Sequence, residues 1–171
     1  MTIAIAWVGQ RLDGRRHLYM ASDSRTRGYI TIDFCPKILT LPRSDSAICF
    51  AGEAIVTYPL MIHLANAIEA HPPARERSMD IAKLKDHLLE VFNDFIDKLK
   101  DVKQPLKTSD IQFIFGGYSW RAADFRLWKV QYSAKSRTFE AAEAKSFHKL
   151  IEKAAFVGDY LHGHAACGVH C

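Results

Sequence analysis

The second residue of the chain, Thr2, could supply both a nucleophile and a base. Threonine is small enough at this position for the initiator Met1 to be removed, which leaves a free α-amine beside the hydroxyl. The amine is a weak base with a pKa of about 7.7–8, and it can accept the hydroxyl proton directly or through water. A threonine here is equally compatible with the start of a buried strand, so the residue alone does not choose between catalysis and structure.

Three later segments contain residue types that would support such a nucleophile. Asp23 stands two residues before Arg25 in Ala-Ser-Asp-Ser-Arg-Thr, where a surface ion pair is the ordinary interpretation. Lys37 precedes an apolar run, and a lysine there normally faces solvent. Gly52 lies in Phe-Ala-Gly-Glu-Ala, where a strand meets a helix. Backbone N–H groups at such a turn can form an oxyanion hole, and glycine lets a substrate approach.

The apolar pattern predicts strands in the first and last thirds of the chain and helices between them. Asp13-Gly14 indicates a tight hairpin turn. Helical spacing of apolar residues predicts helices over 60–68 and 81–102, the second capped by Ser78. An α+β fold follows, with two antiparallel sheets and helices packed outside them. The predicted strands are residues 2–8, 17–22, 29–32, 37–41, 46–50, 110–115, 125–132, 138–144 and 154–157.

In this order, the motifs resemble the proteasome β-subunit and HslV-type peptidase family of N-terminal-nucleophile (Ntn) hydrolases. The matching pieces are the Thr-Ile-Ala start, the Ala-Ser-Asp-Ser-Arg-Thr turn, the Lys-Ile-Leu strand, the Phe-Ala-Gly junction and the Ile-Gln-Phe-Ile-Phe-Gly-Gly strand. The resemblance extends over residues 2–160. It implies a four-layer αββα sandwich, with one domain over residues 1–160 and a flexible His-, Cys- and Gly-rich tail over residues 161–171.

The resemblance also implies catalytic roles for the matching residues. Thr2 would be the nucleophile, and its α-amine the general base. Lys37 would lower the pKa of the nucleophile by its charge, and Asp23 would orient that lysine through an ion pair. The N–H of Gly52 would stabilise the oxyanion. Asp159 stands where the family has a serine beside the N-terminal threonine, and a carboxylate there would raise the pKa of the amine.

Four further residues match the family's substrate-binding positions. Thr26, Arg27 and Ala54 match positions whose backbone pairs with an extended peptide by strand addition. Phe50 matches a position that shapes the pocket for the residue before the cleaved bond. The resemblance thus implies a threonine-type endopeptidase or amide hydrolase that needs no cofactor or metal, acts on a peptide or protein and assembles into a homo-oligomeric ring. The substrate, the ring size and any unfoldase partner are not specified by the sequence.

Three departures from the family favour a different function for the same scaffold, and the first is Asp159 in place of the serine. Glu53 replaces a small residue beside the oxyanion glycine, and its charge would oppose a developing oxyanion. The second helical layer expected after Gly158 is absent from the sequence, so the sandwich would be incomplete at the C-terminus. Two interpretations therefore stay open: a threonine-type hydrolase, and a catalytically inactive structural or interaction subunit.

Composition excludes several other classes of protein. The 171 residues are 49% hydrophobic and 25% charged, which is typical of one globular domain. A net charge of +4 with interspersed acids and bases does not favour nucleic acid as a partner. Neither a membrane-spanning run nor a signal peptide is visible, so we expect a cytoplasmic protein with reduced cysteines.

The tail offers a competing hypothesis, a zinc site. Its histidines and cysteines are competent ligands, but their spacing matches no common closed site, and a disordered tail is the simpler interpretation. Cys35 and Cys49 are expected to be packed thiols near strands rather than nucleophiles. The tail ligands in question are His162, His164, Cys167, His170 and Cys171.

Overall fold

A computed structural model of the chain describes residues 3–26, 31–99, 111–145 and 151–158. Its elements follow the predicted order of strands, helices and strands. They are β1 (Ile3–Gln10), β2 (Arg16–Ser22), β3 (Ile38–Thr40), β4 (Ser46–Gly52), α1 (Ala54–Ala70), α2 (Pro72–Arg75), α3 (Ile81–Asp97), β5 (Ile111–Ser119), β6 (Asp124–Ser133), β7 (Thr138–Glu143) and β8 (Ile151–Gly158).

The strands form two antiparallel sheets, as the sequence predicts. The smaller sheet has the order β2-β1-β8, and the larger has the order β3-β4-β5-β6-β7. The β1–β2 hairpin closes at the predicted turn, where Gly14 takes a left-handed φ of 79°. The strand predicted at 29–32 is not one of the eight strands given above. Residues 27–30 lie outside the described residues, and Ile32 forms a single β-bridge with Thr26.

The two sheets face each other across an apolar core that is rich in alanine. Alternate residues of β1 point inward, and alanine on both sheets lets their backbones approach closely. This layer fixes the distance between the start of β1 and the end of β4, which matters for the site described below. Its buried members are Ala4, Ala6, Cys49, Ala51, Ile114, Leu127, Ala155 and Val157.

The other face of the larger sheet is covered by the helices. Three aromatic rings connect α3 to this sheet: Phe92 lies 4.8 Å from Phe113 and 5.1 Å from Phe139, measured between ring centroids. The α1 helix begins at Ala54, six residues earlier than predicted, and it contains Pro59 within its second turn. The helical layer therefore starts directly after the junction at Gly52.

A carboxylate attaches the start of α3 to the larger sheet. Asp80 is the N-cap of α3 and accepts from the N–H of Ala82 at 3.2 Å. It also accepts from the Ser119 hydroxyl at 3.0 Å and the Arg121 N–H at 3.3 Å. The predicted cap, Ser78, instead donates its hydroxyl to a backbone carbonyl. Burial by itself would raise the pKa of Asp80, but these hydrogen bonds outweigh it and lower that pKa.

The outer face of the smaller sheet is apolar and partly exposed. Ile5 and Trp7 alternate with the inward alanines, and Trp7 stacks on Tyr19 with 5.3 Å between ring centroids. Ile3, on the same face, is 48% exposed. The α+β class with two antiparallel sheets is confirmed. The expected four-layer sandwich is not, since the described residues form three layers and place no helix on this outer face.

Membrane insertion through a helix finds no support in the described part of the chain. No helix there combines the length and the hydropathy that crossing a bilayer requires.

We expect this outer face to bind a hydrophobic dye or to drive self-association, because contiguous exposed apolar surface favours both. Replacement of Tyr19, which is 37% exposed, by lysine should weaken dye fluorescence and reduce association measured by light scattering. The control is Trp120→Lys, which changes an aromatic residue that is 47% exposed on the β5–β6 turn. A sharp monomer peak without dye binding would contradict the expectation.

We expect Asp80→Ala to lower the free energy of unfolding by about 2–4 kcal/mol at neutral pH, since a cap and charged hydrogen bonds are lost. The folded-state pKa of Asp80 is depressed, so this stabilisation is present above the carboxyl's unfolded pKa of about 3.9 and is lost as pH falls through the folded pKa. Urea titrations from neutral to strongly acidic pH should therefore show the difference between wild type and variant shrinking. Asp94→Ala, at an exposed position of the same helix, should change stability by less than about 0.5 kcal/mol.

Candidate active site

The predicted catalytic residues that the structure describes meet at one end of the sandwich. There β1 begins, β2 has just ended, β3 is about to begin and β4 ends. Asp23 follows β2, and Lys37 precedes β3. The Phe50 N–H donates to the Lys37 carbonyl at 3.1 Å, which places the end of β4 next to the start of β3. The antiparallel pairing of the strands thus gathers residues far apart in sequence.

Lys37 is the charged centre of this cluster. Its side chain is 0% exposed, although the sequence alone would place such a lysine in solvent. The ammonium Nζ donates to both carboxylate oxygens of Asp23, at 2.9 Å each, and to the carbonyl of Arg25 at 2.5 Å. An ammonium group has three N–H donors, so all three have acceptors here. The predicted ion pair between Asp23 and Lys37 is present.

Asp23 connects this lysine to the start of β1. Its Oδ1 also accepts the N–H of Ile3 at 2.9 Å, and its own N–H donates to the Ile3 carbonyl at 3.1 Å. The carboxylate therefore fixes Ile3 and Lys37 against each other. Its side chain remains 27% exposed, so water can reach the carboxylate.

The β4–α1 junction lies at Gly52, the last residue of β4. Gly52 has a φ of 117°, which residues with a Cβ rarely adopt, so glycine is required here. Glu53 occupies the N-cap position of α1, and its side chain makes no capping hydrogen bond. Its carbonyl accepts from Val56 and Thr57 N–H groups, which commits those donors to the helix. The carboxylate of Glu53 is exposed next to the glycine.

The predicted substrate-binding residues fall in different environments. Phe50 is fully buried, and its ring packs edge-on to Tyr58 with 6.4 Å between centroids. Ala54 is the first residue of α1. Thr26 already pairs within the chain: its N–H donates to the Ile32 carbonyl at 2.9 Å, and its carbonyl accepts from Ile32 at 3.2 Å. A peptide would have to displace Ile32 to pair with Thr26.

Other residues singled out from the sequence lie outside the described residues. These are Thr2, Arg27, Asp159 and the tail ligands of the zinc hypothesis. Within the described part of the chain, no three His, Cys, Asp or Glu side chains are grouped to hold a metal ion. Burial raises the pKa of the Cys49 thiol to about 12, which makes it a poor nucleophile at neutral pH.

Sequence reasoning missed two parts of the site. The carbonyl of Arg25 is an acceptor for Lys37, but a backbone group carries no signal in the residue type. The segment around Asp33 holds the turn that contains Arg25, through the hydrogen bonds described below. The resemblance implied the ion pair between Asp23 and Lys37 but not these contacts.

The fold has a match among solved structures. Anbu (ancestral beta-subunit) from Yersinia bercovieri matches with a TM-score of 0.65 and 17% sequence identity, over 95% of this chain and 63% of the Anbu chain. The present chain thus spans less than two thirds of the length of Anbu. No family model matches the sequence, and no curated protein does.

The family assignment made from the sequence is therefore wrong. Because no family model matches and the identity to Anbu is only 17%, what is established is the coarser likeness, a fold similar to that of Anbu. The motifs behind the assignment are short. Glycine at the β4–α1 junction, for example, also meets a local backbone requirement.

We expect Lys37→Met to lower the free energy of unfolding by about 3 kcal/mol, because Asp23 loses the cation that compensates its charge. Urea denaturation followed by circular dichroism measures this difference. Lys153→Met is a matched control: Lys153 also contacts an aspartate and a backbone carbonyl, but its side chain is 21% exposed. Lys153→Met should lower the free energy of unfolding by about 1 kcal/mol or less. If both variants lower the free energy of unfolding equally, burial of the ion pair between Lys37 and Asp23 has no special effect on stability and the expectation is wrong.

Proposed function

We propose that the chain is an N-terminal threonine hydrolase that cleaves peptide or related amide bonds. Thr2 is the nucleophile after Met1 is removed, and its α-amine is the general base. The observation that carries the proposal is the carboxylate of Asp23, which bonds both Ile3 and the buried Lys37. Because Ile3 is joined to Thr2 by one peptide bond, a nucleophile at position 2 starts next to this charge.

Burial of the Lys37 ammonium calls for an explanation, because removing a charge from water costs free energy even when the charge is paired. An apolar residue would satisfy packing at this position at least as well. A positive charge near a threonine hydroxyl, in contrast, stabilises the alkoxide that forms when the proton leaves. Asp23 keeps the ammonium oriented and compensates its charge.

The reaction then follows from the groups assigned to the site. The α-amine takes the hydroxyl proton, and the oxygen of Thr2 attacks the carbonyl carbon of the amide. The N–H of Gly52 stabilises the resulting oxyanion. The protonated amine gives its proton to the leaving nitrogen, which leaves an ester on Thr2. Water, activated by the same amine, hydrolyses that ester and restores the hydroxyl.

The second candidate is a non-catalytic subunit with the same fold. Two observations favour it: the exposed charge of Glu53 beside Gly52, and the complete use of the Lys37 donors by Asp23 and Arg25. In the catalytic case, one of the two bonds to Asp23 has to be exchanged for a bond to the Thr2 oxygen. In the structural case, the cluster only fastens β1, β2 and β3 together.

We further propose that the chain forms homo-oligomers in the cytoplasm. The apolar outer face of the smaller sheet supports association, because burying it would remove apolar area from water. Cys35 and Cys49 are both free thiols, which agrees with a reducing compartment.

We expect Thr2→Ala to reduce the hydrolysis of fluorogenic peptide amides by about a thousandfold or more, since the nucleophile is removed. Thr2→Ser should retain partial activity because the hydroxyl and amine both survive. Thr40→Ala, an exposed threonine at the end of β3, should behave as wild type. Intact-mass measurement should show that Met1 is absent from the purified protein.

Two results would favour the non-catalytic subunit instead. One is retention of Met1, which leaves no free amine on Thr2. The other is a hydrolysis rate that is the same in Thr2→Ala and wild type across a library of peptide amides.

A further inference from the structure

The turn that contains Arg25 is attached to a second segment by a set of short contacts. The Ser24 hydroxyl donates to the Asp33 carbonyl at 2.6 Å, and the Arg25 guanidinium donates to the Asp33 carboxylate at 2.6 Å. The Cys35 N–H donates to the Ser24 carbonyl at 2.8 Å. Asp33 therefore contacts two consecutive residues of the turn, one through its backbone and one through its side chain.

This attachment is important because the turn also determines the direction of the Arg25 carbonyl. That oxygen is one of the acceptors of the buried Lys37 ammonium, at 2.5 Å. A carbonyl is present whichever residue occupies position 25, so the side chain cannot supply or remove it. Its direction depends on the backbone angles of the turn, and groups that hold the turn determine those angles.

We propose that Asp33 is a positioning residue of the site: by holding Arg25, it directs the Arg25 carbonyl at Lys37 and so holds the ammonium beside Asp23 and the start of β1. This inference rests on the proposed function for its effect on catalysis, whereas the effect on Lys37 itself does not depend on any activity. Nothing requires Asp33 to touch the substrate or the reacting atoms.

The ion pair of Arg25 and Asp33 is expected to add little to the stability of the fold. Their side chains are 54% and 55% exposed, and exposed ion pairs contribute little to the free energy of unfolding. Such a pair can still select one arrangement of a turn among several of similar energy. Its loss should therefore leave the fold intact and loosen the ammonium of Lys37.

The experiment compares Asp33→Ala with Asp33→Asn and with a matched control, Glu143→Ala. Asparagine keeps an oxygen that can accept from the Arg25 guanidinium. Glu143 is the carboxylate of another partly exposed pair, with Arg126, on β7. Two quantities are measured in each variant: steady-state kinetics on peptide amides, and the solvent exchange of the Lys37 ammonium protons by nitrogen-15 NMR. Lys37→Met assigns the signal, because that variant lacks it.

We expect Asp33→Ala to lower kcat by about twofold to fivefold, the range that corresponds to one exposed ion pair, with little change in KM. The Lys37 protons should exchange faster in that variant. In Asp33→Asn, kcat and the exchange rate of the Lys37 protons should both lie close to their wild-type values. Glu143→Ala should change neither kcat nor the exchange rate.

The two readouts separate this inference from the proposed function. If wild type hydrolyses no peptide but Asp33→Ala still accelerates exchange at Lys37, the positioning role stands and the hydrolase proposal fails. Unchanged exchange in Asp33→Ala overturns the positioning role, whether or not the protein is active. A loss of kcat that Asp33→Asn does not restore also overturns it.

Discussion

The buried ammonium of Lys37 is the constraint on which the end of the sandwich depends. A cation without solvent must have acceptors for its protons, and these come from the segment between β2 and β3. Asp23 and Arg25 have to lie in one turn to supply them. Since Asp23 also bonds Ile3, the position of β1 follows from the same requirement. The alanine-rich core between the sheets also helps to place β1, because larger side chains at the alanine positions would move β1 away from β4.

Much of the fold could be predicted from the sequence because the relevant signals are periodic. The apolar stripe of α3 reflects burial on one face of the helix, and a single sequence contains that pattern. The pairing of Asp23 with Lys37 was also predicted, although only through a resemblance. Local capping was less accessible: Asp80 caps α3 instead of Ser78 because Ser119 and Arg121, from a distant hairpin, also donate to it.

The rest of the site could not be predicted for a physical reason. Backbone groups, such as the Arg25 carbonyl, are identical in every residue, so their roles appear only when the chain is folded. The same holds for Thr26, whose backbone groups are engaged by Ile32. The family assignment failed on a related point. Short motifs that satisfy strand ends and turns recur wherever the same geometry recurs, and a shared fold does not by itself specify a shared family or activity.

The place of β1 in the smaller sheet has a practical consequence. This strand is the central one, flanked by β2 and β8, and Ile3 lies opposite Gly158 while also bonding Asp23. A polypeptide fused ahead of Ile3 would continue directly from a residue whose N–H is held by Asp23, the partner of Lys37. Affinity tags, fluorescent fusions and vector-derived leader residues therefore belong at the other terminus. Preparations that differ only in the residues left at the N-terminus are different proteins at the site.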